Sequence, residues 1–117
     1  MEQWPPIPAY ALDIAGGRIT VVKVSPLVHP DGDVCEGIWD ERQRCIEIDA
    51  KAPPERQWFA FYHEVYEMRL SDSGLDYVLA DKQREAVCAA LAMADLAALR
   101  RELVGKPRKA RARRGGN

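Results

Sequence analysis

The sequence predicts a single α+β domain: a small three-stranded antiparallel sheet packed on one helix, followed by a long second helix. Three observations predict it. Short β-branched and alternating runs occupy residues 19–49, an aromatic-rich run with helical spacing follows at 54–70, and an alanine-rich run fills 80–103. At 117 residues the chain suffices for one core, burying about 65% of its unfolded surface. No apolar run approaches the ~20 residues of a membrane span. No basic start precedes an apolar signal region, so the expected location is the cytoplasm, with no membrane partner. Cys35, Cys45 and Cys88 are odd in number and lack Cys-x-x-Cys spacing, which excludes a disulfide framework and a zinc knuckle.

Pro5, Pro6 and Pro8 force an extended N-terminus and forbid a helix there. Gly16-Gly17 reads as a turn, and Ile19-Thr20-Val21-Val22-Lys23-Val24 is β-branched enough to be a strand. His29-Pro30-Asp31-Gly32-Asp33 is loop chemistry; a turn beside proline accounts for His29, which ranks behind other residues as a ligand. Val34–Trp39 and Cys45–Asp49 flank a polar turn and predict a hairpin. In its second arm Ile46 and Ile48 alternate with Cys45, Glu47 and Asp49, so one face is buried and the other wet.

Pro54 suits the first turn of a helix and Glu55 its N-terminal dipole. Winding 54–70 at about 100° per residue gathers Trp58, Phe59, Phe61, Tyr62, Val65, Tyr66 and Met68 on one wide arc. His63 falls at the edge of that arc, Glu67 just beyond it and Glu64 further round. Ser71-Asp72-Ser73-Gly74 ends the helix. The second helix is nearly apolar all round between Ala86 and Leu99, which suits packing on more than one side. Its stripe Cys88, Ala92, Leu96, Leu99, Leu103 extends back through Glu85 and Asp81, two carboxylates that require a partner or a metal if buried.

The domain thus spans 1–104, and 105–117 is expected to be a basic disordered tail. Lys106, Arg108, Lys109, Arg111, Arg113 and Arg114 stand there without an acid; the rest of the chain, with 11 bases against 18 acids, carries about −7. Such a tail solubilises, or contacts nucleic acid or the acidic body of a neighbouring copy in a homo-oligomer.

The chemistry concentrates in His63-Glu64-Val65-Tyr66-Glu67, an H-E-x-x-E motif one letter from the H-E-x-x-H zinc-peptidase signature. Positions i and i+4 share a helical face, so His63 and Glu67 can grip one divalent ion. Glu85 or Asp81 supplies the third ligand, leaving an open coordination position for water. Glu64 is the candidate catalytic base, and Tyr62, Tyr66 or Tyr77 the candidate to polarise a carbonyl. A plainer arrangement has His63 and Glu67 bonded to each other and Glu85 paired with Arg69 or Arg56.

The element order, together with Trp58-Phe59-Ala60-Phe61-Tyr62-His63-Glu64 and Glu85-x-x-Cys88-x-x-Leu91-Ala92, resembles the ImmA/IrrE-type, zincin-like metallopeptidases of bacteria and phages over residues 19–100. The resemblance implies a small antiparallel sheet against the active-site helix, His63 and Glu85 as ligands, and Glu64 as the catalytic base. It implies a protein or peptide substrate, such as a repressor in phage or mobile-element control. Gly74-x-x-Tyr77-x-x-Ala80-Asp81 resembles a related zincin-like pattern that keeps Asp81 as a ligand. Glu67 stands where that family has a second histidine. The exchange brings the site with a dication near neutrality, weakens the Lewis acid, and extends the choice of metal from zinc to manganese or iron. The alternative is a catalytically inactive interaction protein that uses its Ala-rich helix and basic tail for a partner or nucleic acid.

Overall fold

The structure is a computed structural model; it describes residues 4–7, 11–14 and 17–115, with side chains described for 4–7 and 18–105. Four strands and two long helices make the α+β fold: β1 (Ala11–Ile14), β2 (Gly17–Val24), β3 (Gly37–Asp40), β4 (Cys45–Asp49), α1 (Pro54–Ser73) and α2 (Asp81–Gly115), with a short 3-10 turn at Leu75–Tyr77. The strand order is β1-β2-β4-β3. Two antiparallel hairpins, β1–β2 and β3–β4, are joined through a parallel β2–β4 pair in which Val21 lies opposite Ile46 and Lys23 opposite Ile48.

The sheet is therefore mixed, not antiparallel throughout, and it has a fourth strand. A parallel pair needs a crossover of a dozen or more residues. The chain from 25 to 44 supplies it by looping out, forming β3 at the far edge and turning back into the centre as β4. Ala11–Ile14 lies just after the proline-rich start and was not expected to pair; part of the Gly16-Gly17 turn falls outside the described residues. Val34 is not in β3 but bridges Val28 across the loop that precedes it.

One face of the sheet is the core. Ile19 and Val21 of β2 and Ile46 and Ile48 of β4 are almost wholly buried against Ala60, Phe61, Val65 and Met68 of α1, with Ile7 closing the group. The alternation expected of β4 holds. Each of these side chains removes enough apolar area to contribute about 1.5–3 kcal/mol. The buried stripe of α1 is centred on Gln57, Ala60, Phe61, Val65 and Met68, so it lies to one side of the aromatic arc. Trp58 and Tyr62 border the core, and Trp58 Nε1 donates to Pro5 O at 2.6 Å. Gln57 is the one buried polar residue in the described core; its Nε2 donates to Ala52 O at 2.9 Å, which fixes the approach to α1. Gly74 ends α1 in the left-handed conformation (φ 82°), its N–H returning to Ser71 O.

Cys88, Ala92 and Leu96 are the buried stripe of α2, and Tyr66 Oη donates to Asp95 Oδ2 at 2.6 Å to tie the two helices together. The expectation that α2 packs on several sides is corrected: Val87, Leu91 and Met93 are exposed. Alanine makes the helix apolar by composition while leaving little surface to bury, and alanine's helix propensity needs no partner. The helix also runs on to Gly115, through the segment expected as a tail; its alanines, lysines and arginines are good helix formers. No helix among the described residues is long and apolar enough to cross a membrane.

Candidate metal centre

Packing α1 against α2 brings His63, Glu67 and Glu85 together, each offering one ligand atom, with all three atoms within 4.8 Å of one another. His63 Nε2 stands 3.5 Å from Glu85 Oε2. Two ligands at about 2.0–2.2 Å from one tetrahedral ion sit about 3.4 Å apart, so this edge already has the right length. The donor set, one imidazole and two carboxylates, suits a divalent ion. Asp81 is not part of the group: its side chain is 91% exposed and meets Arg84 Nη1 at 3.5 Å. One helical turn separates the two acids, and it is Glu85 that faces α1.

The imidazole is well oriented for ligation. His63 Nδ1 lies 3.3 Å from Glu64 Oε2, which leaves Nε2 to face Glu85 and Glu67. Both side chains are shielded, His63 at 14% and Glu64 at 12% exposure. The hydrogen bond to Glu64, above all, raises the pKa of His63 against the opposing effect of burial. Glu67 is pushed up to about 7, first by burial and then by its hydrogen bond and charge contact with Glu85. Two carboxyls this close share a proton when nothing else neutralises them. Arg84 supplies part of that neutralisation. Its Nε is 3.2 Å from Glu67 Oε1, though the angle is not that of a hydrogen bond and the atom stays unsatisfied.

These residues wall an open cavity of about 420 Å³. His63, Glu64 and Glu67 of α1 and Arg84 and Glu85 of α2 line it from the helices, β3 lines it from Gly37 to Trp39, and His29 lines it from the loop before β3. β3 passes close to α1 because small residues meet there. A Cβ on Gly37 would lie 3.1 Å from Ala60 Cβ and 3.2 Å from Glu64 Cγ, so glycine and alanine set the spacing that brings the strand edge to Glu64.

The other sequence candidates are accounted for. Tyr66 is engaged by Asp95, Tyr77 is 90% exposed, and neither these nor Tyr62 lines the cavity. Arg56 pairs with Glu36 at 2.7 Å and Arg69 sits over the Tyr66 ring, so the base beside the acids is Arg84. Arg84 and Gly37 were missed. The basic residue at i−1 from a candidate ligand was a signal for the first; Gly37 shows its role only when strand and helix are brought together. No family model matches the chain, and no curated protein matches it significantly.

Proposed function

We propose that the chain is a small zincin-like metallopeptidase of the ImmA/IrrE type, hydrolysing a peptide bond in a protein or peptide substrate. The observation that carries this reading is the convergence of His63, Glu67 and Glu85 on one point, with Glu64 on the same cavity wall. His63, Glu67 and Glu85 would hold the ion. Once bound, the ion supplies Lewis acidity for a water and for the scissile carbonyl. Glu64 takes the proton of the attacking water and returns it to the leaving amine nitrogen as the C–N bond breaks. The sheet order leaves β3 with one unpaired edge, and β3 lines the cavity. A substrate strand added along it gains main-chain hydrogen bonds and lies beside Glu64.

The metal is zinc in this proposal, with manganese or iron favoured more than in a two-histidine site because two of three donors are carboxylate oxygens. The substrate is proposed to be a regulatory protein of a phage or mobile element, and the setting cytoplasmic. A second reading draws on Arg84: its guanidinium beside Glu67 offsets part of the acids' charge without an ion, as in a catalytically silent protein that keeps the fold. Such a protein would bind a partner, another copy or nucleic acid through α2 and the basic residues at its C-terminal end.

Metal analysis of the purified, untagged protein separates these readings. Stoichiometric ion in the wild type, lost in both His63→Ala and Glu67→Ala, is the expected result. A well-folded wild type that takes up no zinc, manganese or iron overturns the metal centre. With the ion in place, Glu64→Gln is expected to keep it and lose cleavage of labelled casein; equal cleavage by the variant removes Glu64 from the mechanism.

A further inference from the structure

We propose that His29 is a second catalytic residue of this cavity, donating a hydrogen bond from Nε2 to the substrate carbonyl oxygen as negative charge gathers there. The inference rests on the peptidase reading above.

The loop that carries His29 is built to orient its ring. Val28 and Val34 bridge its two arms, and His29 and Asp33 close the turn through His29 N–H to Asp33 O at 2.8 Å. Gly32 takes φ 100° and returns its N–H to His29 O at 2.8 Å. None of these bonds uses the imidazole. The ring is fixed separately: Asp33 N–H donates to Asp31 Oδ1 at 3.0 Å, and the same Oδ1 lies 3.1 Å from His29 Nδ1. Asp31 is held below its ordinary carboxyl pKa, first by that backbone hydrogen bond, so it presents a charge to Nδ1. The Asp31 N–H also approaches Nδ1, at 3.3 Å. That N–H donates to Nδ1, and a ring that accepts there carries its proton on Nε2.

Nδ1 is thereby occupied and Nε2 has no protein partner among the described residues. His29 lines the metal-centre cavity, but it contributes no atom to the ligand group. It also lines a second cavity of about 360 Å³, which shares Ile38 and Trp39 with the first. His29 therefore stands where the two meet, beside Ile38 and Trp39, and a peptide extended along β3 would pass it. An imidazole held at Nδ1 by the Asp31 N–H, on the wall of the metal-centre cavity and outside the ligand set, has the placement of an oxyanion donor.

Proton balance is simple. Water loses its proton to Glu64, its oxygen bonds to the carbonyl carbon, and the carbonyl π pair moves onto oxygen. His29 shares its Nε2–H with that oxygen and keeps the proton. When the pair returns and the C–N bond breaks, Glu64 protonates the amine and His29 is unchanged.

The test compares wild type, His29→Ala and Asp31→Asn, all ion-loaded, on a quenched fluorescent peptide that the wild type cleaves, and on the phosphinic analogue of that peptide. The His29 side chain is 51% exposed, so its removal leaves the core intact. His29→Ala is expected to keep the ion and KM, to lower kcat about 10²-fold, and to weaken phosphinate binding in proportion. Asp31→Asn should lose less, since it disturbs only the orientation of the ring. In the wild type, the His29 ring nitrogens should shift in the NMR spectrum when the phosphinate binds. Unchanged kcat and phosphinate affinity in His29→Ala overturn the proposal, as does loss of the ion, which would make His29 a ligand. A wild type that cleaves nothing sinks the peptidase reading itself, and the proposal with it.

Discussion

Replacing Glu67 by glutamine is expected to stabilise the ion-free protein while destroying its capacity for metal. The Glu67 side chain is 16% exposed, and its carboxyl is pushed from 4.5 to about 7, first by burial and then by Glu85. That gap corresponds to a ceiling of about 3 kcal/mol. The folded chain holds this proton more tightly than the unfolded chain does. The favourable contribution is therefore complete below pH 4.5 and is lost as the pH rises through about 7. At pH 8 an ionised Glu67 weighs against folding, and glutamine keeps its shape without the charge. Losing the attraction of Arg84 takes back part of the gain, leaving about 1–2 kcal/mol. With an unfolding entropy of about 2.1 cal/mol/K per residue over 117 residues, Tm should rise by about 4–8 °C. Scanning calorimetry in excess EDTA at pH 8 and at pH 4.5 reads this directly, and the advantage of Glu67→Gln should vanish at the lower pH. Added zinc should then raise the Tm of the wild type only. A variant less stable than wild type at pH 8, or equally advantaged at both pH values, refutes the argument that burial and Glu85 burden this carboxylate.

Tyr66→Phe removes the 2.6 Å hydrogen bond to the half-buried Asp95 and should cost about 1–2 kcal/mol in urea unfolding; an unchanged midpoint would mean that water replaces the hydroxyl at no cost. Cys88 is fully buried and its thiol is pushed up to about 12, mainly by burial, so at pH 8 it should resist a thiol reagent until the chain unfolds. Mass spectrometry of the labelled native protein checks this, and prompt modification of Cys88 would contradict it. Gly37→Ala places a Cβ 3.1 Å from Ala60 Cβ and 3.2 Å from Glu64 Cγ, so it should cost about 1–3 kcal/mol and reduce cleavage more than ion content. Equal activity per folded molecule would show that strand and helix separate without disturbing Glu64.

Much of the site was legible because helical periodicity is local. The i,i+4 spacing of His63 and Glu67 needs only α1, and the place of Glu85 at the head of the buried stripe needs only the spacing back from Cys88, Ala92 and Leu96. Choosing Glu85 over Asp81 was not possible from the wheel, since one helical turn separates them and the choice depends on where α1 crosses. The strand of β2 and the alternation of β4 were legible for the same local reason. Their parallel pairing was not, because partner choice between strands is a long-range property. The aromatic arc of α1 misled in one respect. Trp58 and Tyr62 border the core while Ala60 lies beneath, since a helix meeting a strand closely at Gly37 selects for a small side chain, and Gln57 is buried because its amide bonds Ala52 O. The apolar composition of α2 likewise overstated its burial: much of it is alanine, which favours helix without a partner, and Val87, Leu91 and Met93 lie exposed.

Apart from His29, every wall of the metal-centre cavity comes from one continuous run, Gly37 to Glu85. The preceding residues reach the site only through what they bury: Ile7, Ile19 and Val21 underpin the sheet and touch none of the chemistry. Labour is thus divided along the chain. Conservative replacements at Ile7, Ile19 or Val21 alter how many molecules are folded and leave each folded molecule's rate as it was, whereas equally mild changes at Gly37, Glu64 or Arg84 alter the rate itself. A lineage of such proteins is free to exchange one buried apolar side chain for another at Ile7, Ile19 and Val21 while holding the cavity wall nearly still.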